Sequence, residues 1–174
     1  MNKYLNYIPI LVVLAGCSNM KNEPLLAHEF QIVSFTQGKM TEKNGSWFIY
    51  EESQRINYTE NGECVFNGHQ VACMWHGFIL EYDSNGKDVE LDCIGFQSVP
   101  SDIGNPNEIT HRNSHEYKYT IPLSGDENTF INPQYVVGRS GTGEVNSATV
   151  CSIDGEPVFK FKRTFIYPAH AVQT

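Results

Sequence analysis

Beyond residue 28, apolar and polar positions alternate along most of this chain with a period of two, the pattern of half-buried β-strands. The pattern is sharpest between Phe78 and Cys93. Phe78, Leu80 and Tyr82 alternate with Ile79, Glu81 and Asp83; Val89, Leu91 and Cys93 alternate with Asp88, Glu90 and Asp92. Between the two runs stands Asn85-Gly86, the dipeptide preferred by a two-residue type I′ turn because both central residues need φ > 0. The spacing predicts a hairpin with Asp83 opposite Asp88, Glu81 opposite Glu90 and Phe78 opposite Cys93. One face of that ribbon would be apolar. The other would carry the carboxylates Glu81, Asp83, Asp88, Glu90 and Asp92.

The same reading places a first strand over Glu29–Thr36, a second over Ser46–Glu52 and a third over Arg55–Glu60. A further hairpin starts at Glu63 and precedes the Phe78 run. Glu116–Leu123 puts Tyr117, Tyr119, Ile121 and Leu123 on one face. Phe130–Gly138 reads as an edge strand because of Pro133, which has no N–H to donate. Ala148–Ser152 and Glu156–Tyr167 form a last hairpin around Asp154-Gly155. Lys39–Gly45 looks turn-like, Arg139–Asn146 a Gly-rich loop, and Ser98–Ser114 a long irregular stretch. No window of ten or more residues after the N-terminal segment has helical periodicity. Short strands spaced by turns imply an all-β domain over residues 29–174, an antiparallel β-sandwich, with a closed β-barrel as the alternative.

The N-terminus has a different composition. A basic Met1–Lys3 precedes the apolar run Ile8–Leu14, which is too short to span a bilayer. It ends in Leu14-Ala15-Gly16-Cys17, followed by Ser18. That tetrapeptide resembles the lipobox of bacterial lipoproteins. The resemblance covers residues 1–20 and implies that residues 1–16 are a signal peptide removed before Cys17. It also implies that Cys17 carries the lipid anchor, that residues 17–28 tether the domain, and that Ser18 directs the protein to the outer membrane.

Cys64, Cys73, Cys93 and Cys151 remain, an even number that reads as two disulfides in an exported protein. A four-residue loop Asn67–Gln70 would set Cys64 opposite Cys73. Cys73 lies on the opposite face of its strand from Phe78 and Leu80, and so away from Cys93. The pairs expected are Cys64–Cys73 and Cys93–Cys151. A three-residue loop Ile153–Gly155 would pair Ser152 with Glu156, turning Cys151 inward with Phe159, Phe161 and Phe165 and leaving Lys160 and Lys162 outside.

Charge narrows the function. With 12 basic and 20 acidic side chains the formal charge is −8, and a cut before Cys17 removes only Lys3 among the charges. That balance argues against a nucleic-acid partner, which requires clustered Lys and Arg. No CxxC spacing supports zinc, and no cofactor is implied. Gly138–Gly143 approaches GxSxG but has Thr142 where the motif needs glycine. His111 and His115 have a spacing that could serve a metal, but they lie in a polar segment. No nucleophile and base assemble, so an enzyme is not expected. The reading is a lipid-anchored binding protein of the envelope whose five carboxylates recognise a basic protein. In outline it resembles lysozyme-inhibitor and toxin-immunity lipoproteins. The alternative is a lipocalin-like carrier, with aromatic side chains lining an apolar cavity.

Overall fold

The structure is a computed structural model and describes residues 29–105, 108–139 and 143–168. Residues 1–28, which hold the expected signal peptide, Cys17 and the expected tether, and Ser140–Thr142 of the expected Gly-rich loop lie outside the described residues. Among the described residues ten strands run in chain order: β1 (Gln31–Lys43), β2 (Ser46–Glu52), β3 (Arg55–Asn57), β4 (Gly62–Phe66) and β5 (His69–Asp83), then β6 (Val89–Asn105), β7 (Glu108–Leu123), β8 (Thr129–Val137), β9 (Gly143–Ile153) and β10 (Glu156–Tyr167).

These strands form two five-stranded sheets that pack face to face. In the first, β5 is central: it pairs with β1, β4 and β8, and β2 pairs with β1. The second has the order β3-β10-β9-β6-β7. The all-β sandwich is what forms. Its strand pairs are antiparallel except β3 with β10, where Arg55 pairs with Thr164 in parallel. Phe78 and Leu80 of the first sheet meet Leu91, Cys93, Ile121, Cys151 and Phe161 of the second in one apolar core. A smaller core gathers Ile56, Tyr58, Met74, Val145, Phe165 and Tyr167. The aromatic rings fill the interior by touching one another. Phe78 and Phe161 centroids are 5.3 Å apart, Phe35 and Phe159 4.9 Å.

The central hairpin predicted at Asn85-Gly86 does not form. Both residues take the positive φ expected, 54° and 73°, but β5 and β6 belong to different sheets. Residues 84–88 turn a corner between the sheets. Asp83 Oδ1 accepts from Asn85 N at 2.8 Å and Ser84 O accepts from Lys87 N at 3.1 Å. Alternation could not distinguish the two outcomes, because apolar faces that share a ribbon can equally face each other across a core. Cross-strand repulsion distinguishes them: the ribbon would have set Glu81 against Glu90 and Asp83 against Asp88, and like charges directly opposite destabilise a sheet.

Four other boundaries and registers differ. Asn67-Gly68, with φ of 51° and 80°, is a two-residue turn that pairs Cys64 with Val71 and Gly62 with Cys73. The slip of two residues keeps both cysteines on one face, so Cys64–Cys73 closes diagonally across a Cα separation of 5.9 Å. The last turn is also two residues, Asp154-Gly155, with Ile153 opposite Glu156. A bulge between Pro157 and Phe159 then sets Cys151 opposite Phe159, so Phe161 and Phe165 are buried and Lys160 and Lys162 exposed as expected. Ser98–Ser114 is not an irregular loop. Its described residues extend β6 and β7, with register shifts between Phe96 and Gly104 that absorb Pro100. Lys39–Lys43 likewise continues β1, where Gln37, Lys39 and Met40 are buried. Cys93 and Cys151 sit directly opposite on β6 and β9, buried, and form the second expected bridge.

Candidate functional site

The five carboxylates singled out by sequence do not share a face. Glu81 and Asp83 point outward from the first sheet, Glu90 and Asp92 outward from the second, and Asp88 stands at the corner between them. Glu81 accepts a hydrogen bond from Ser34 Oγ at 2.8 Å; Thr120 Oγ1 donates to Asp92 at 3.5 Å.

What the fold does collect is a set of loops at one end of the sandwich. The corner 84–88, the β7–β8 connection 124–128 and the Asp154-Gly155 turn all lie there. Tyr82 N donates to Asn128 O at 2.9 Å, and Asp92 pairs with Ser152 next to that turn. Glu29 arrives at the same end and pairs with Lys87 at 3.2 Å. This end carries Glu29, Asp83, Asp88, Asp126, Glu127, Asp154 and Glu156, with Lys87 as the described cation among its loops. Three of the five expected carboxylates, Asp83, Asp88 and Glu90, are therefore at or beside it, joined by Asp126 and Glu127, which sequence reasoning did not select.

Local hydrogen bonds fix these loops. Asp88 Oδ1 accepts from Gly125 N at 2.8 Å, tying the corner to the β7–β8 loop. Ser124 Oγ accepts from Asp126 N at 3.2 Å, and Ser124 O accepts from the Tyr82 hydroxyl at 2.9 Å. A Cβ on Gly125 would meet the Gly86 backbone at 2.6 Å, so only glycine lets the two loops close. Between them is an open cleft of about 520 Å³, lined by Val33, Tyr82, Asp83, Ser84, Asp126, Glu127 and Asn128. Burial raises the Tyr82 hydroxyl pKa, and the charges of Glu127 and Asp88 raise it further, so it stays a neutral donor. The chemistry offered is a carboxylate-rimmed cleft suited to a guanidinium or ammonium group.

Among the described residues, no three His, Cys, Asp or Glu side chains converge as a metal-ligand set. His111 and His115 lie on strand β7. Thr110 Oγ1 is 3.1 Å from His111 Nδ1, and His115 Nδ1 is 2.9 Å from Gln97 O.

Sequence reasoning also missed a buried polar layer. His76 is 3% exposed, and Arg163 is 5% exposed. Arg163 Nη1 donates to His76 Nδ1 at 3.0 Å and to Gln134 Oε1 at 2.8 Å; its Nε donates to Gln37 Oε1 at 3.4 Å. The guanidinium lies 5.1 Å from the Phe161 ring centroid. Burial, then the Arg163 charge, hold the His76 pKa well below the usual histidine value. The layer packs against Phe161 of the larger core and Phe165 of the smaller one. Alternation carried the signal: position 163 shares parity with Phe161 and Phe165, and position 76 with Phe78 and Leu80.

No protein-family model matches this chain, and no curated protein matches it. A solved structure, the N-terminal domain of PorA, aligns with 10% identity over 78% of this chain and 98% of that one, at a TM-score of 0.34.

Proposed function

We propose that this is an exported, lipid-anchored binding protein of the bacterial outer membrane, non-enzymatic, whose acidic end receives a basic partner protein. The observation that carries the reading is the cleft of about 520 Å³ rimmed by Asp83, Asp126 and Glu127. A partner inserting an Arg or Lys there would gain charge-assisted hydrogen bonds, and the surrounding carboxylates would speed the encounter. The overall negative balance of the chain supports the same polarity. The carrier alternative is less supported, since the interior aromatics that would have lined a ligand cavity pack ring against ring.

The test is capture of partners from envelope extract at low and high salt, with the intact protein and with Asp126→Lys/Glu127→Lys. Both positions are exposed, so the fold should be kept. A partner lost with salt and with the double reversal is the expected result. A partner retained by the double variant would overturn the site.

A further inference from the structure

A second site lies on the outer face of the first sheet, at the end away from the acidic loops. It is built on the two tryptophans of the chain. Trp75 of β5 is flanked by Trp47 of β2, with ring centroids 4.6 Å apart, and by Tyr135 of β8, at 5.3 Å and 69°. Beside them is a shallow cavity of about 240 Å³ lined by Glu63, Cys64, Val65, Gln70, Trp75 and Tyr135.

Every wall of this cavity is fixed. Asn61 holds the Trp75 backbone from both sides: its Oδ1 accepts from Trp75 N at 2.6 Å and its Nδ2 donates to Trp75 O at 3.2 Å. The indole Nε1 donates to Glu63 O at 3.4 Å, and the Tyr135 hydroxyl donates to Val65 O. Gly62 makes room, since a Cβ there would meet the indole at 2.8 Å. The Cys64–Cys73 bridge closes the hairpin beneath. At the rim Gln70 Nε2 donates to Glu63 Oε2 at 3.2 Å, holding a carboxylate and an amide together. That bond leaves the Gln70 carbonyl and the second Glu63 oxygen as acceptors.

From this geometry we propose that the cavity binds a pyranose sugar. Such a ring is amphipathic, with a C–H face that packs on an aromatic side chain and a rim of hydroxyls. Those hydroxyls need fixed planar acceptors, which the Glu63–Gln70 pair supplies. The volume falls below the roughly 300 Å³ at which sites for drug-sized ligands begin, and so suits a single ring. An organic cation is the other ligand that aromatics and a carboxylate can take. Trp75 and Tyr135 meet edge to face, so they do not stand as the parallel walls of an aromatic cage, and a cation would have one ring face at most. A pre-organised wall lowers the ordering cost that makes single-ring sugars weak ligands.

Because both tryptophans belong to this cluster, fluorescence excited selectively at tryptophan reports on it alone. The experiment titrates the full mature protein with glucose, N-acetylglucosamine, their β-1,4-linked dimers and trimers, and tetramethylammonium. The expected result is a saturable emission change with one of the sugar series in the millimolar range. Gln70→Ala should weaken it about tenfold, the size of one lost hydrogen bond. Asp126→Lys/Glu127→Lys should leave it unchanged, which separates this site from the acidic end. Gln70 is exposed, so its variant should fold, and Glu63→Gln gives an independent second test. The proposal is overturned by no saturable response to any sugar. It is equally overturned by a response that both variants leave intact, or by a response to tetramethylammonium alone.

Discussion

His76 is a single residue whose environment sets a pH limit on the whole fold. It is buried against Arg163 and accepts that guanidinium's hydrogen bond through Nδ1, which requires the neutral ring. Its folded pKa is lowered well below 6.5, by burial first and then by Arg163. The unfolded chain therefore binds a proton on this histidine that the folded chain refuses. Stability rises with pH in that window and is lost as pH falls below about 6.5. His76→Gln should flatten this part of the denaturation profile between pH 7 and pH 4; an unchanged slope would show that His76 is not responsible. At the alkaline limit, burial pushes the hydroxyls of Tyr119 and Tyr167 up to about 12. Their contribution is complete below the ordinary tyrosine pKa of about 10 and is lost as pH rises through the folded value. A different constraint acts at Gly77, where a Cβ would meet the Asn132 carbonyl oxygen and the Met40 sulfur. The oxygen belongs to backbone paired in β8 and cannot yield without shifting the strand. Gly77→Ala should cost about 1–3 kcal/mol, read as a lower denaturation midpoint.

At the scale of elements, the two disulfides serve different ends. Cys64–Cys73 spans a hairpin that Asn67-Gly68 already turns, with a sequence separation of 9. Cys93–Cys151 joins β6 to β9 across a separation of 58. It lies in the larger core, in one buried cluster with Phe78, Leu91 and Phe161. The chain-entropy estimate grows with the loop closed, so losing the long bridge should cost on the order of 2–5 kcal/mol and losing the short one less. Paired Cys→Ala variants followed by urea denaturation measure this order, and equal losses would contradict it. The turns also show why faces were easier to read than registers. At 67–68 and at 154–155 the two-residue turn replaced a longer expected loop, yet each cysteine kept its side of the sheet. In the first case the slip was by two residues, and in the second a bulge at Val158 restored the parity.

The whole molecule has a polarity that no strand shows by itself. Acidic loops gather at one end, while the aromatic cavity sits toward the other end on an outer face. Electrostatic steering depends on such summed fields and falls with ionic strength. Replacing Asp126 and Glu127 by lysine should therefore lower the association rate of a basic partner about tenfold at low salt, with little effect at high salt. The melting temperature should hardly move, since both side chains are exposed. Stopped-flow binding across a salt series checks both statements, and a salt-independent rate for the intact protein would remove the electrostatic account.

The strand type, the inward faces and the pairing of four cysteines were legible in the residues. Each rests on a local signal: a period of two, a turn dipeptide, or a count of thiols. Which strands pair was not legible, because an apolar face fits a neighbour in the same sheet as well as one across the core. Packing, together with the repulsion that a ribbon would have set between facing carboxylates, decided that Asn85-Gly86 turns a corner instead of a ribbon, and this scattered the five carboxylates to two outer faces and a corner. The same packing brought Asp126 and Glu127 to Asp83, Trp47 to Trp75, and Gln37 and Gln134 to Arg163. Those residues lie far apart in sequence, and no period or motif links them. They meet because β5 has neighbours along both of its edges, and because burying two apolar sheet faces against each other removes more surface from water than a single exposed ribbon could.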